Sequence, residues 1–223
     1  MRWMVLVPVM LLCGSVQSFA DESGRLQNAA TVLQELRGTP DKDVPSELWE
    51  KAECVAVIPN VKKAAFMIGG EYGRGVMSCR NQGRWSAPMF LRLEKGSWGF
   101  QAGAESIDLV LLVMNRGGVD KLLNNKVSLG ADASAAAGPI GRSAHAATDA
   151  QMKAEILSYS RAQGVFAGVD LSGGALRPDT DANKDVYGPS VGPRDILFGS
   201  AVKPPADAAA FMTGLNRSTQ ASK

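Results

Sequence analysis

The chain has 223 residues, with 24 Lys and Arg against 22 Asp and Glu, a formal net charge of +2 and 45% hydrophobic residues. So balanced a charge leaves no global field to select nucleic acid or another polyanion, and the length suits one domain with a substantial core rather than two. Any charge-based function must rest on local asymmetry.

The first 20 residues, MRWMVLVPVMLLCGSVQSFA, combine one positive charge at Arg2, an apolar stretch from Met4 to Leu12, and the small residues Ser18 and Ala20. That pattern reads as a secretory signal peptide (1–20) cleaved after Ala20, and it places the protein outside the cytoplasm, in the periplasm or associated with the cell envelope. The apolar core is too short, and too broken by Pro8, for a lasting membrane span. Lipidation at Cys13 is the weaker alternative, because Leu12 stands where such signals carry Gly, Ala or Ser. Cleavage leaves Cys54 and Cys79, an even pair in an oxidising compartment, which read either as a disulfide or as two buried thiols.

Residues 21–51 form a helical segment. Leu26, Ala29, Ala30, Leu33 and Leu36 recur at three- and four-residue intervals on one helical face, which Gly38 and Pro40 terminate. A second, short helix follows around Pro45–Trp49. From Cys54 the period changes. The runs Cys54–Ile58, Ala64–Ile68, Gly75–Arg80, Trp85–Leu93, Ser97–Ala104 and Ile107–Met114 predict an antiparallel meander, the last run apolar enough to be covered on both faces. A short helix is expected within Gly117–Asn125, then strands within Val127–Ala137, Lys153–Ser160 and Gly164–Leu171. After Gly188 a tail (189–223) carries one helix, Ala206–Leu215, and a polar end. The fold class expected is α+β: a single domain built on a mainly antiparallel, strongly curved sheet with flanking helices.

Four constellations bear on chemistry. Ser134 or Ser143 with His145, the sole histidine, and Asp132 or Asp149 is the one available hydrolase set, but no G-x-S-x-G elbow surrounds either serine, and the protein is expected not to be an enzyme. Gly70–Gly75 opens no helix, so it reads as a hairpin turn rather than a phosphate loop. Asp179, Asp181, Asn183 and Asp185 stand at the 1, 3, 5 and 7 spacing of a calcium loop, although Lys184 and Ser190 occupy the places of its glycine and bidentate glutamate; the alternative is an Asx-rich turn capping a short helix into Tyr187. Calcium is thus a candidate cofactor and none other is expected. Lastly, Lys51–Lys95 holds eight basic and three acidic residues, a local charge of +5 near Trp85 and Trp98. That composition suits contact with anionic headgroups.

The ordered motifs VAVIP, KAAF, GGEYGRGV, WSAP, DLVLLVMN, LGADAS, AAGPIGR, AEILSYSR, GVFAGV and the D-x-D-x-N ahead of Tyr187-Gly188 resemble those of the SYLF domain, across 52–188. The resemblance implies lipid binding without an enzymatic reaction, helped by an amphipathic helix ahead of the domain. Here that helical region carries seven acidic and three basic residues between Asp21 and Glu50, a charge anionic lipid would repel. The expectation is therefore an exported bacterial-type envelope protein binding phospholipid, or a membrane surface, through a basic face. The candidate lipid contacts are Lys62, Lys63, Arg74, Arg84 and Arg142. A scaffold that binds other envelope proteins is the rival reading.

Overall fold

The computed structural model describes residues 15–37, 44–66, 68–98, 103–123, 126–140, 153–162 and 165–220. In chain order the helices are α1 (Ser15–Arg37), α2 (Ser46–Lys51), α3 (Arg116–Leu123), α4 (Thr180–Tyr187), α5 (Pro193–Phe198) and α6 (Ala209–Gln220). The strands are β1 (Cys54–Phe66), β2 (Ile68–Asn81), β3 (Arg84–Trp85), β4 (Met89–Trp98), β5 (Gly103–Val113), β6 (Val127–Ser128), β7 (Ala135–Ala137), β8 (Ile156–Ala162), β9 (Val165–Gly168) and β10 (Gly174–Pro178).

The strands form one sheet in the order β6-β10-β4-β2-β1-β5-β8-β7, with β3 beside β2 and β9 beside β8. The α+β class holds. The sheet is mixed rather than purely antiparallel, because β7 runs parallel to β8. The β1–β2 hairpin lies between β4 and β5, so these two strands are neighbours in the chain and not in the sheet.

Alternation along the central strands sends side chains into two cores. Val55, Val57, Val76, Phe90, Val110, Leu112 and Tyr159 lie in one core with Leu26, Leu33 and Leu36 of α1 and Phe211 and Leu215 of α6. Ala56, Ile58, Met77, Leu91, Leu109 and Leu111 lie in the other with Val119 and Leu122 of α3 and Ile196 and Leu197 of α5. This explains the unbroken apolar run of β5: every residue from Leu109 to Leu112 is fully buried in one core or the other.

Several expected boundaries shift. Ser97–Ala104 is not one strand; its ends belong to β4 and β5. Gly70–Gly75 is not a turn but the middle of β2, where Gly73 and Gly75 leave room for an irregularity in β1. There the β1–β2 pairing slips between Val57 and Lys62, Asn60 takes a positive φ of 51°, and its amide donates to Asp108 Oδ1 at 2.9 Å. Cys54 and Cys79 face each other across β1 and β2 and are joined by a disulfide, both fully buried. Among the described residues no helix is long and apolar enough to cross a membrane.

Helix α1 crosses the first core with charge at both ends. Toward its C-terminus Glu35 pairs with Arg161, which also holds Asp108 at 2.9 Å. Toward its N-terminus Asp21, Glu22 and Arg25 meet the sheet and α4. The acidic helix that anionic lipid would repel is thus the lid of a basic stretch of sheet.

Candidate functional site

The β2–β4–β10 register sets Arg74, Arg92 and Arg177 directly opposite one another, on neighbouring strands. Two residues along, Tyr72 faces Glu94 on β4 and Lys62 on β1. Residues opposite each other share a sheet face, and like charges so placed repel, so this arginine row depends on nearby anions.

Carboxylates arrive from three elements. Asp179, directly after β10, is 3% exposed and accepts from Arg25 Nη1 at 2.8 Å and Arg92 Nη2 at 2.7 Å, with Arg74 Nε 3.9 Å away. From α1, Asp21 pairs with Arg74. Glu94 of β4 pairs with Arg177. Arg25 also stacks on the Phe90 ring, 5.7 Å from its centroid.

Helix α4 explains the Asp-rich run. Read as a helix, its alternate positions split into two i,i+4 pairs on different faces. Asp179 and Asn183 are buried: Asn183 accepts from the Phe90 amide at 2.9 Å and donates to the carbonyls of Phe90 and Asp179 at 2.8 Å, docking α4 onto β4. Asp181 and Asp185 are exposed. The calcium-loop reading therefore gives way to a short helix, since two of the four ligands are spent on arginines and backbone; the expected Asx capping is absent, because the Asp179 carboxylate turns to Arg25 and Arg92 and makes no cap hydrogen bond. Among the described residues no group of three His, Cys, Asp or Glu is disposed to hold a metal.

Between α1, α4 and the sheet lies an open cleft of about 370 Å³ lined by Asp21, Glu22, Tyr72, Arg74, Arg92, Asp179, Asp181 and Asp185, among others. Glu22 has a side chain only 5% exposed. Its Oε2 lies 3.0 Å from Arg25 Nε, yet neither atom is aligned for a hydrogen bond. Burial, and then the charge of Asp21, push this carboxyl up to about 7, against the pull of Arg74. The unfolded carboxyl titrates near 4.5, so the folded state holds the proton between 4.5 and about 7 and stability falls as pH rises through that window. Glu22→Gln, which keeps the shape of the protonated acid, is expected to flatten the slope and to add about 1 kcal/mol at pH 8 once solvent screening is allowed for. Urea unfolding at about pH 5 and about pH 8 measures it, and a variant no more stable than wild type at the higher pH contradicts it.

The expected basic face is not assembled as one patch. Arg74 is in the cleft and ion-paired, while Lys62 is exposed one strand away, opposite Tyr72. The backbone of Lys63 pairs with Glu71 and Glu105. Arg84 is exposed at the Asn81–Arg84 turn, roughly 30 Å along β2 from Tyr72 at about 3.3 Å per residue. Arg142, Ser143, His145 and Asp149 lie outside the described residues. Ser134 is exposed and tied to β8: its Oγ accepts from the Glu155 amide and its own amide donates to Glu155 Oε2, both at 3.0 Å. Asp132 Oδ2 accepts from the Ser128 amide and closes a turn. Sequence reasoning missed Arg25, Arg177, Tyr72 and the acids of α1 as partners. The signal available was Phe90-Leu91-Arg92-Leu93, whose alternation places Arg92 on the Phe90 face of a buried strand.

Residues 94–218 match the family described as Ysc84, Las17-binding protein actin regulator. The chain belongs to the Ysc84, or SYLF, family. It is 31% identical over 185 residues to the SH3 domain-containing YSC84-like protein 1 of Homo sapiens, covering 80% of this chain and 54% of that protein. It is 34% identical over 170 residues to LAS seventeen-binding protein 3 of Saccharomyces cerevisiae, covering 74% of this chain and 37% of that protein. The chain thus spans about half or less of the curated SYLF relatives it matches. Of the arginine row only Arg177 falls inside the residues matched, together with Glu94, Asp179 and all of α4; Arg74 and Arg92 lie ahead of them.

Proposed function

We propose that this SYLF-family chain is a non-catalytic phospholipid-binding protein, exported to the cell envelope, that takes the phosphate of a lipid headgroup at the Arg74–Arg92–Arg177 row. The observation that carries the reading is the row itself: three guanidinium groups in register, with side chains 38%, 25% and 44% exposed. Such a row requires anions, and a phosphate can accept from an arginine fork through two oxygens where each carboxylate here takes one nitrogen. Exposed Lys62 beside Tyr72 extends the positive charge toward the same end of the sheet. The N-terminal apolar stretch and small-residue cleavage pattern support export.

The test is co-flotation of the purified protein with phospholipid vesicles at low and physiological salt, with and without calcium. Binding is expected without calcium and is expected to weaken with salt. Arg74→Gln with Arg177→Gln should cost about 2 kcal/mol, roughly thirtyfold, at about 1 kcal/mol per basic residue near the surface. No co-flotation with any vesicle sinks the proposal. The rival, a protein-interaction module, is favoured by the names of its relatives, one a LAS seventeen-binding protein and another an SH3 domain-containing protein. Recovery of a crosslinked envelope protein without vesicle binding would establish it.

A further inference from the structure

The carboxylates on the arginine row do not all come from equally firm backbone. Asp179 is buried between β10 and α4 and is held by Arg25 at 2.8 Å and Arg92 at 2.7 Å. Asp21 and Glu22 come instead from residues 21–24 of α1, Asp-Glu-Ser-Gly, which carry no apolar side chain. From Asp21 onward the first apolar side chain that α1 buries is Leu26, and Ala29, Ala30, Leu33 and Leu36 follow it into the core. The ties of this turn to the sheet are ion pairs on Arg74: Asp21, its side chain 47% exposed, pairs with the guanidinium, and Glu22 Oε1 stands 3.8 Å from it.

Gly24 divides this charged turn from the packed body of the helix. A glycine inside a helix weakens it relative to alanine, and a close packing contact is the usual reason for one. Here a Cβ at Gly24 would meet nothing within 4 Å, so packing does not require the glycine. Just beyond it Arg25 is anchored by Asp179. A break at Gly24 would therefore lift Asp21 and Glu22 off the sheet and leave Arg25, Leu26 and the rest of α1 in place. Closed, Arg25, Arg74 and Arg92 are matched by Asp21, Glu22 and Asp179. Open, Arg74 keeps only its 3.9 Å contact to Asp179, and two positive charges lose their partners. An anion reaching the row thus meets an occupied Arg74 in one state and a free one in the other, and such differential affinity is what shifts a population.

We infer that residues 21–24 are an autoinhibitory latch: their carboxylates occupy Arg74 in the free protein, and the phosphate of a phospholipid headgroup displaces them as α1 opens at Gly24. The inference rests on the phospholipid reading above and assigns the regulation of its site.

The purified full chain and its variants are floated with vesicles of phosphatidylcholine and phosphatidylglycerol, and amide hydrogen exchange is followed with and without those vesicles. Gly24→Ala strengthens the helix across the break, so it should resist urea better than wild type and yet bind about fivefold more weakly, the helix-propensity difference read as an affinity. A residue with a merely structural role would not move the two readouts in opposite directions. Asp21→Asn takes the carboxylate off Arg74 and should bind on the order of threefold tighter, the yield of one partly exposed ion pair. Asp207→Asn makes the same charge change at an exposed position on another element and should gain less. Vesicles should also strip exchange protection from the amides of residues 22–25 and leave those of residues 33–36 unchanged. A Gly24→Ala protein that binds as tightly as wild type, an Asp21→Asn protein that gains no more than Asp207→Asn, or amides 22–25 that stay protected on vesicles each overturn the latch while sparing the phospholipid reading. No binding by wild type or any variant overturns both.

Discussion

Asp179→Ala is expected to destabilise the protein by about 3–5 kcal/mol, the cost of removing one partner from a buried ion pair and leaving the other charges uncompensated. Asp179 is 3% exposed and sits among three guanidinium groups, at 2.8 Å from Arg25, 2.7 Å from Arg92 and 3.9 Å from Arg74. Without it Arg25, 6% exposed, keeps Glu22 and a long contact to Asp21, while Arg92 keeps only the 3.5 Å contact to exposed Asp181. Arg74 and Arg92 would then face each other across β2 and β4 with less between them. A typical domain is stable by about 5–15 kcal/mol, so the loss is a large fraction of the whole. Asp179→Asn keeps the volume and one acceptor and should cost less. Asp181→Ala, exposed, should stay within about 0.5 kcal/mol. Urea denaturation of the three variants decides it: an Asp179→Ala loss below about 1 kcal/mol would mean that the row does not need its central anion.

How much of this was legible beforehand depends on what each signal measures. The α1 face from Leu26 to Leu36 is readable because its apolar period is helical, while the stop expected at Gly38 and Pro40 lies outside the described residues. The double burial of β5 was readable because a continuous apolar run has few other uses. The Asp-rich run was misread as a possible ligand loop because spacing alone does not state the backbone period: alternate residues converge in a wrapped loop and diverge on a helix. The arginine row was hidden for a different reason. Arg74, Arg92 and Arg177 are 18 and 85 residues apart in sequence, and only the register that slots β2 between β1 and β4 makes them neighbours. Summing local charge finds Arg74 and Arg92 within a basic face suited to anionic headgroups, but composition cannot show that Asp21 of α1 pairs with Arg74. The glycines of β2 were read as a turn for want of any sequence sign of the irregularity they accommodate in β1.

Those glycines give the second large effect, and they tie the fold to the site. Gly75→Ala should cost about 3 kcal/mol, the upper end of what overpacking a core usually costs. A Cβ at Gly75 would lie 2.2 Å from the Val57 carbonyl oxygen and 2.8 Å from Ile58 Cα, so β1 backbone itself must move. At Gly73 the nearest atoms are instead methyl groups of Ile58 and Val61, at 2.6 and 2.7 Å, which can yield by rotation or a small shift. Gly73→Ala should therefore cost about 1 kcal/mol, and the ordering of the two variants in thermal or urea unfolding is the sharper check. Equal costs would show that side-chain crowding, not backbone contact, governs the position. The consequence reaches further than stability. Gly73 and Gly75 point to one face of β2, while Tyr72 and Arg74 between and beside them point to the other, toward the cleft. A shift of β1 at Val57–Ile58 would carry β2 with it and alter the height of Arg74 against Arg92. Gly75→Ala protein that remains folded should then bind phospholipid vesicles more weakly than Gly73→Ala protein, although neither residue can touch a headgroup. The glycine spacing in this strand is thus a requirement of the opposite face.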